Sequence, residues 1–484
     1  MSDLEIPIGK RKRAYRFFEM LPAIISYGSI ILLIALSLLN PLIAAAYLLA
    51  VIITALVKAV GIAYHTTVGR SQLERAQNVD WHRRLGQLED PSSHISSKQA
   101  ESDSFHGRIH MTNLHSIASN PDIYPKPSQV YNAVIVATYN ESHEILQPTL
   151  QSLLDTTYDK DHMIVVIAYE ARGGESIRKT VHKLEKEFKS KFKSLLLVEH
   201  PSDLPNEVRG KGGNITYAGF YLKDWLQKQK ISFSSVIVTT LDADNRTHPT
   251  YFDYLTYEYI VRPDRKHLSY QPVCLFTNNI WDVPAPMRVV ATGNSFWNII
   301  SSMRPHTLRN FASHSQPMDA LVEMNFWSTR TIVEDGHQYW RSYFHFKGKY
   351  GVVAILVPIY QDAVLSSTYI RTLKAQFIQL RRWAYGASDV PYVATRIFTK
   401  HRDVPLGPSL ARLIRLIDGH ITLASIAILI AVGGWVPLFV NGQAAHSIAA
   451  HQLPEVISRI QQVALIGLFV TVFFSFKILN ILQQ

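Results

Sequence analysis

Cysteine is almost absent. The single thiol among 484 residues, Cys274, excludes an internal disulfide framework and a cysteine-based zinc site. A P-loop is missing too: no Gly-x-x-x-x-Gly-Lys-Ser/Thr pattern occurs. There is no internal repeat and no long low-complexity tract. No cleavable signal is expected, because the first apolar span is too long and lacks a small-residue cleavage site. Acidic residues are in deficit, 38 against 49 Lys and Arg, for a formal net charge of +11. The basic residues gather beside apolar spans rather than in an RNA- or DNA-binding motif, so no nucleic-acid partner is expected. A basic rim facing anionic lipid, with some basic side chains on phosphate, accounts for the excess instead.

What the chain has is apolar residue at its two ends. Leu21 to Val60 is nearly uncharged and broken at Asn40-Pro41. Each half is close to the roughly 20 residues that cross a bilayer, which predicts a hairpin of two membrane helices. Five of the seven residues from Lys10 to Arg16 are basic, which places the N-terminus in the cytoplasm. Ile421 to Val440 and Gln462 to Ile478 read as two further spans. The loop between them, Asn441 to Gln461, carries Arg459 and no Lys, as an external loop should. Tyr350 to Tyr360 is too short to cross and contains Pro358. Leu373 to Tyr385 reads as an amphipathic helix on the membrane surface.

Between the ends the rhythm is that of a globular domain. Apolar runs at Ala133–Ala137, Met163–Ala168, Leu195–Val198 and Val236–Leu241 alternate with helical stretches near 143–154, 175–190 and 214–229. That alternation predicts a mainly parallel α/β sheet, with ligands at the carboxyl ends of its strands. The expected domains are a basic N-terminus (1–20), two membrane helices (21–60), a connector or peripheral layer (61–129), the catalytic domain (130–360), interfacial helices (361–408) and two more membrane helices (409–484).

Five short motifs carry chemistry, and each has a plain alternative. Asp242-Ala243-Asp244 follows an apolar strand; carboxylates at i and i+2 share a side of an extended chain and can engage one hard cation, or else form a solvated loop. Thr138-Tyr139-Asn140-Glu141 ends the first strand and suits a nucleoside, or else caps a helix. Lys211 stands in Arg209-Gly210-Lys211-Gly212-Gly213-Asn214, where glycines allow close approach to phosphate; the alternative is a surface turn. Glu334-Asp335 offers a general base, or an ordinary acidic loop. Gln379, Arg382 and Trp383 share one helix face at i, i+3 and i+4, and suit pyrophosphate and a sugar ring, or an interfacial helix.

The order of these motifs between two membrane pairs resembles the membrane-bound inverting family 2 glycosyltransferases, the group of cellulose synthase and hyaluronan synthase. The resemblance covers about residues 130–385 plus the flanking helices. It implies a Rossmann-like, GT-A type nucleotide-diphospho-sugar transferase domain on the cytoplasmic side of a multi-pass membrane protein. It implies Mg2+ or Mn2+ on Asp242 and Asp244, Asp335 as base beside Glu334, and Gln379, Arg382 and Trp383 against donor pyrophosphate and acceptor. Tyr139 and Glu141 would border the nucleoside and Lys211 the phosphates. The donor implied is a UDP-sugar and the acceptor a glycan or a lipid.

The sequence departs from the family in three places. Glu170 stands where the family often has an Asp that contacts the base or ribose, and the resemblance carries that nucleotide contact over to it; Thr216 ends the third motif where Asn is common, and Val333 opens the acid motif where Thr is common. The Gln-x-x-Arg-Trp set favours a polymerising enzyme. Four spans leave a one-chain channel short of helices, which a homo-oligomer would supply, or else the enzyme glycosylates a lipid without processivity. An inactive membrane sensor or scaffold on the same fold is the remaining alternative.

Overall fold

The computed structural model describes residues 4–95, 105–400 and 402–442, with isolated positions between 452 and 462. The chain folds as two units: Met1–Ile6 with Gly69–Trp383, and Pro7–Val68 with Ala384–Gln484.

The first unit is built on an eight-stranded sheet. Its strands are β1 (Tyr131–Thr138), β2 (Met163–Glu170), β3 (Ser194–His200), β4 (Val236–Asp242), β5 (Arg246–Thr247), β6 (Leu268–Leu275), β7 (His314–Pro317) and β8 (Gly351–Tyr360), in the order β3-β2-β1-β4-β7-β6-β8-β5. The first four strands are mutually parallel and joined by the helices His143–Leu154, Gly174–Phe188 and Lys211–Lys228. The three expected helices and four expected strands are all present. β2 is buried along its whole length, as a strand covered on both faces must be. Ile215, Ala218, Leu222 and Leu226 form one stripe of the helix Lys211–Lys228 and pack against Ala133, Ile135, Ile164 and Val166 of β1 and β2.

Past β4 the sheet is mixed rather than parallel. β7 runs antiparallel to both β4 and β6, and the short β5 antiparallel to β8. β7 is a polar strand, yet buried, and hydrogen bonds make that tolerable. Ser315 Oγ meets Thr239 Oγ1 at 2.7 Å and Tyr251 Oη at 3.0 Å, and Gln316 Nε2 donates to Tyr350 Oη at 2.9 Å. β6 contains Pro272, and its pairing with β8 slips in register there, as a strand must where a ladder donor is missing. The run 350–360, too short for a membrane, is β8.

The helices Trp81–Gln87 and Gly107–Ser119 pack on the helix Tyr251–Ile260, with Trp81 stacked on Tyr254 at 3.6 Å and His110 Nδ1 3.0 Å from Tyr257 Oη.

In the described residues three helices are long and apolar enough to cross a membrane: Arg13–Leu39, Pro41–Gln77 and Leu406–Val440. The break at Asn40-Pro41 falls where expected. Pro41, without an N–H, opens the second helix, and Asn40 Oδ1 accepts from the Leu42 N–H at 2.9 Å. In the second unit Leu33, Ala44, Leu48, Ile52 and Leu429 form a small core, and Lys58 Nζ donates to both Asp418 oxygens at 2.7 and 2.9 Å. Of the expected span Gln462 to Ile478, all but Gln462 lies outside the described residues.

Candidate active site

The winding of the sheet reverses between β1 and β4, and in open α/β sheets ligands bind outside the carboxyl ends of the strands at such a switch point. β4 ends there with Asp242. The turn after it is held by Asn245, whose Oδ1 accepts from the Asp242 N–H at 2.9 Å and from Ser313 Oγ. Lys211, the first residue of its helix, donates from Nζ to Asp242 Oδ1 at 2.7 Å. Burial pushes Asp242 up, but Lys211 and then Arg382 more than offset this and hold it below its ordinary value. Lys211 is likewise pulled down by burial and raised, on balance, by Asp242 and Glu334.

Asp244 differs from its neighbour. Burial first, then Asp242 and Asp362, push it up to about 7. Its Oδ2 accepts from the Asp362 N–H at 3.1 Å, and its carbonyl oxygen accepts from Asn278 Nδ2 at 3.0 Å. Among the described residues no group of three or more His, Cys, Asp or Glu forms an all-protein metal cage. The donor set still suits Mg2+ or Mn2+. Such a cation is commonly held by one or two carboxylates, with the rest of its shell from substrate phosphate and water, and it would relieve the crowding of Asp244 by Asp242 and Asp362.

Glu334 and Asp335 open the helix Glu334–His345. Asp335 Oδ2 accepts from the Ala312 N–H and Oδ1 from the Gly336 N–H at 2.7 Å. Glu334 is buried against Gly212, where an added Cβ would come within 2.4 Å of the Ser328 carbonyl oxygen and 3.1 Å of Glu334 Cβ. Both acids sit above their ordinary values. Burial is the chief cause for each; the Asp335 charge adds to it for Glu334, and the two backbone donors and Lys211 oppose it for Asp335. Two adjacent carboxyls that cannot both ionise freely are suited to proton transfer near neutral pH.

The loop after β1 is organised by Glu141. Its Oε2 accepts from Thr138 Oγ1 at 2.6 Å, the Tyr139 N–H at 2.7 Å and the Asn140 N–H at 3.1 Å. That carboxylate shapes the loop, while Tyr139 stays 41% exposed. Glu170 ends β2 and receives Arg172 Nε at 2.6 Å. Thr216 faces the interior, donating to the Trp327 carbonyl at 3.0 Å.

Gln379, Arg382 and Trp383 lie on one helix, Tyr369–Ala384, as the spacing predicts. Arg382 is exposed and its charge reaches Asp242. The Trp383 ring is 6.4 Å from that of Phe276, and Gln379 Oε1 accepts from Gln376 Nε2 at 3.0 Å.

The sequence motifs assign no role to three residues of this region. Asn214 Nδ2 donates to the Ala168 carbonyl at 2.9 Å and the Thr138 carbonyl at 3.3 Å, clasping the ends of β2 and β1. Asp362 presses on Asp244 from the loop after β8. His314, lowered to about 4 by burial and then by Lys211, is a neutral imidazole whose Nε2 accepts from Trp327 Nε1 at 3.1 Å. Asn214 closes a motif already noted, so its helix-start position was the available signal; Asp362 and His314 have no local pattern.

No protein-family model and no curated protein matches the chain. Among solved structures it is similar to the mannosyltransferase PcManGT from Pyrobaculum calidifontis in complex with GDP-Man and Mn2+, at 15% identity over 86% of this chain and 99% of that one, with a TM-score of 0.43. It is also similar to residues 1–349 of S. aureus TarS, at 13% identity over 63% and 87% of the two chains, with a TM-score of 0.33. GalNAc-T7 with UDP, GalNAc and Mn2+ matches at 10% identity over 62% and 58%, again with a TM-score of 0.33. All three TM-scores lie below 0.5, so the chemistry is read from the residues of the site itself.

Proposed function

We propose that this chain is a membrane-embedded inverting glycosyltransferase that moves a sugar from a nucleotide-diphospho-sugar to a glycan or lipid-linked hydroxyl at the cytoplasmic membrane face. The observation that carries the reading is the charge constellation at the end of β4. Asp242 is paired with Lys211 at 2.7 Å, biased by Arg382, and neighboured by the raised carboxyls Glu334 and Asp335. Cations for a departing diphosphate and a base for an incoming hydroxyl then share one crevice.

In the proposed reaction Asp335 accepts the proton of the acceptor hydroxyl. Its two backbone donors fix the carboxylate while leaving lone pairs free, and its raised pKa makes it a stronger base than an exposed Asp. The acceptor oxygen forms a bond to the anomeric carbon as the bond from that carbon to the diphosphate oxygen breaks. The electron pair leaves on the nucleoside diphosphate, whose negative charge Lys211 and Arg382 stabilise. A divalent cation on Asp242 and Asp244 would supply further neutralisation of the diphosphate. The exposed guanidinium of Arg382 suits bidentate contact with pyrophosphate, and the half-buried Trp383 offers a flat face to an acceptor sugar. A single displacement inverts the anomeric carbon, so an α-linked donor yields a β-linked product.

The test is incubation of membranes holding the protein with sugar nucleotides and Mg2+ or Mn2+, followed by sizing and anomeric assignment of the product. A β-linked product from an α-linked donor is expected, a ladder marking a polymerising enzyme and a single added sugar on lipid a non-processive one. An α-linked product overturns the single displacement.

A further inference from the structure

The end of β2 carries charged side chains that the transfer chemistry leaves unused. Glu170 is buried, with 5% of its surface exposed. Arg172 Nε donates to its Oε2 at 2.6 Å and a second guanidinium nitrogen reaches the same oxygen, while Oε1 has no partner among the described residues. His200, at the end of β3, stands beside the pair. Its Nε2 is 3.0 Å from Glu207 Oε2, but its Nδ1 is buried without a hydrogen bond, 4.0 Å from Glu170 Oε2. The rim is closely packed: Arg172 lies 4.9 Å over the Tyr139 ring, and a Cβ at Gly173 would come within 2.0 Å of the Tyr139 carbonyl oxygen.

Position gives this group a ligand. β1 separates β2 from β4, so the end of β2 is two strand spacings, roughly 10 Å, from the end of β4. A ribose and base bridge that gap when the diphosphate sits at Lys211 and Asp242. The base of a bound donor therefore arrives at Glu170 and Arg172, which present a carboxylate with one free oxygen next to a guanidinium.

We propose that the donor's base is guanine, an inference that rests on the glycosyltransferase reading of the same site. Guanine presents two adjacent donors on one edge, N1–H and the N2 amino group, followed by the O6 acceptor. The free Oε1 of Glu170 accepts from both N1–H and the amino group, and Arg172 donates to O6. Uracil presents a single N–H between two carbonyls, so the free oxygen would gain one donor and face a carbonyl oxygen beside it. Adenine and cytosine place a ring-nitrogen acceptor where the carboxylate needs a donor.

The full chain in lipid nanodiscs with Mg2+ is titrated with GDP, IDP, UDP, ADP and CDP. GDP is expected to bind about tenfold or more tighter than UDP, with IDP, which lacks the amino group, in between. Glu170→Gln is expected to weaken GDP by about tenfold, remove the difference between GDP and IDP, and leave UDP unchanged. UDP binding as tightly as GDP, or GDP affinity unaffected by Glu170→Gln, overturns the guanine assignment and leaves the transferase reading standing. Failure of all five to bind overturns both. Should the variant not fold, the GDP, IDP and UDP order of the wild-type chain decides.

Discussion

Lys211 and Asp242, 31 residues apart, meet at 2.7 Å where the first turn of a helix faces the end of β4. This ion pair prepares the site for a ligand that brings its own negative charge, since a diphosphate offers Lys211 a second partner. Lys211→Met removes a charge-assisted bond worth about 1.5–3 kcal/mol, so nucleoside diphosphate affinity should fall roughly 10- to 100-fold. Without Lys211 the burial of Asp242 is offset less, by Arg382 and His314 alone, and the acid limb of binding should move to higher pH. Calorimetric titration across pH checks both; unchanged affinity contradicts a phosphate role for Lys211.

Asp335→Asn should keep donor binding and lose transfer by about 10²- to 10⁴-fold, the usual contribution of a general base. Donor titration and single-turnover transfer measure the two effects separately. Near-wild-type transfer would move the base elsewhere, and Glu334→Gln, measured alongside, would identify Glu334 if it alone lost transfer.

Gly212→Ala should destabilise the first unit by about 1–3 kcal/mol, because the new methyl group meets a backbone oxygen that cannot swing away. Gly210→Ala, whose nearest neighbours would stand at 3.9 Å or more, should leave stability unchanged. Denaturant unfolding of the two variants is the comparison, and equal midpoints would show that the Ser328 loop yields.

The metal-free, donor-free protein should lose stability as pH rises. Asp244 is pushed up to about 7 from an ordinary 3.8, so between these values the folded chain binds more proton than the unfolded one. The slope of unfolding free energy against pH is then negative across that window, and Asp244's contribution, complete at its acidic end, is gone above about 7. Asp244→Asn should flatten the slope. Chemical denaturation between about pH 5 and 8 measures it, and parallel curves for wild type and variant would contradict the raised pKa.

The first half of the sheet is legible in the sequence because β1 to β4 are continuous apolar runs separated by amphipathic helices, and burial on both faces demands that composition. β6 and β7 are not. Pro272 breaks the pattern of β6, and His314 to Pro317 looks like a loop because its buried polar groups are satisfied by Thr239, Tyr251 and Tyr350, residues distant in sequence. The same limit applies to the site. The spacing of Gln379, Arg382 and Trp383 and the helix-start position of Lys211 are local properties and can be read. That Glu141 braces its own loop, that Thr216 points inward and that Asp362 crowds Asp244 depend on tertiary contacts that no local spacing encodes.

The central claim is that the crevice at the end of β4 turns over a sugar nucleotide. Its most direct test is release of nucleoside diphosphate from a panel of sugar nucleotides by the purified full chain with Mg2+ or Mn2+, beside Asp242→Asn as control. The account predicts turnover of at least one sugar nucleotide by the wild-type chain and its loss in the variant. No turnover of any sugar nucleotide with either cation, or equal turnover by Asp242→Asn, would contradict it.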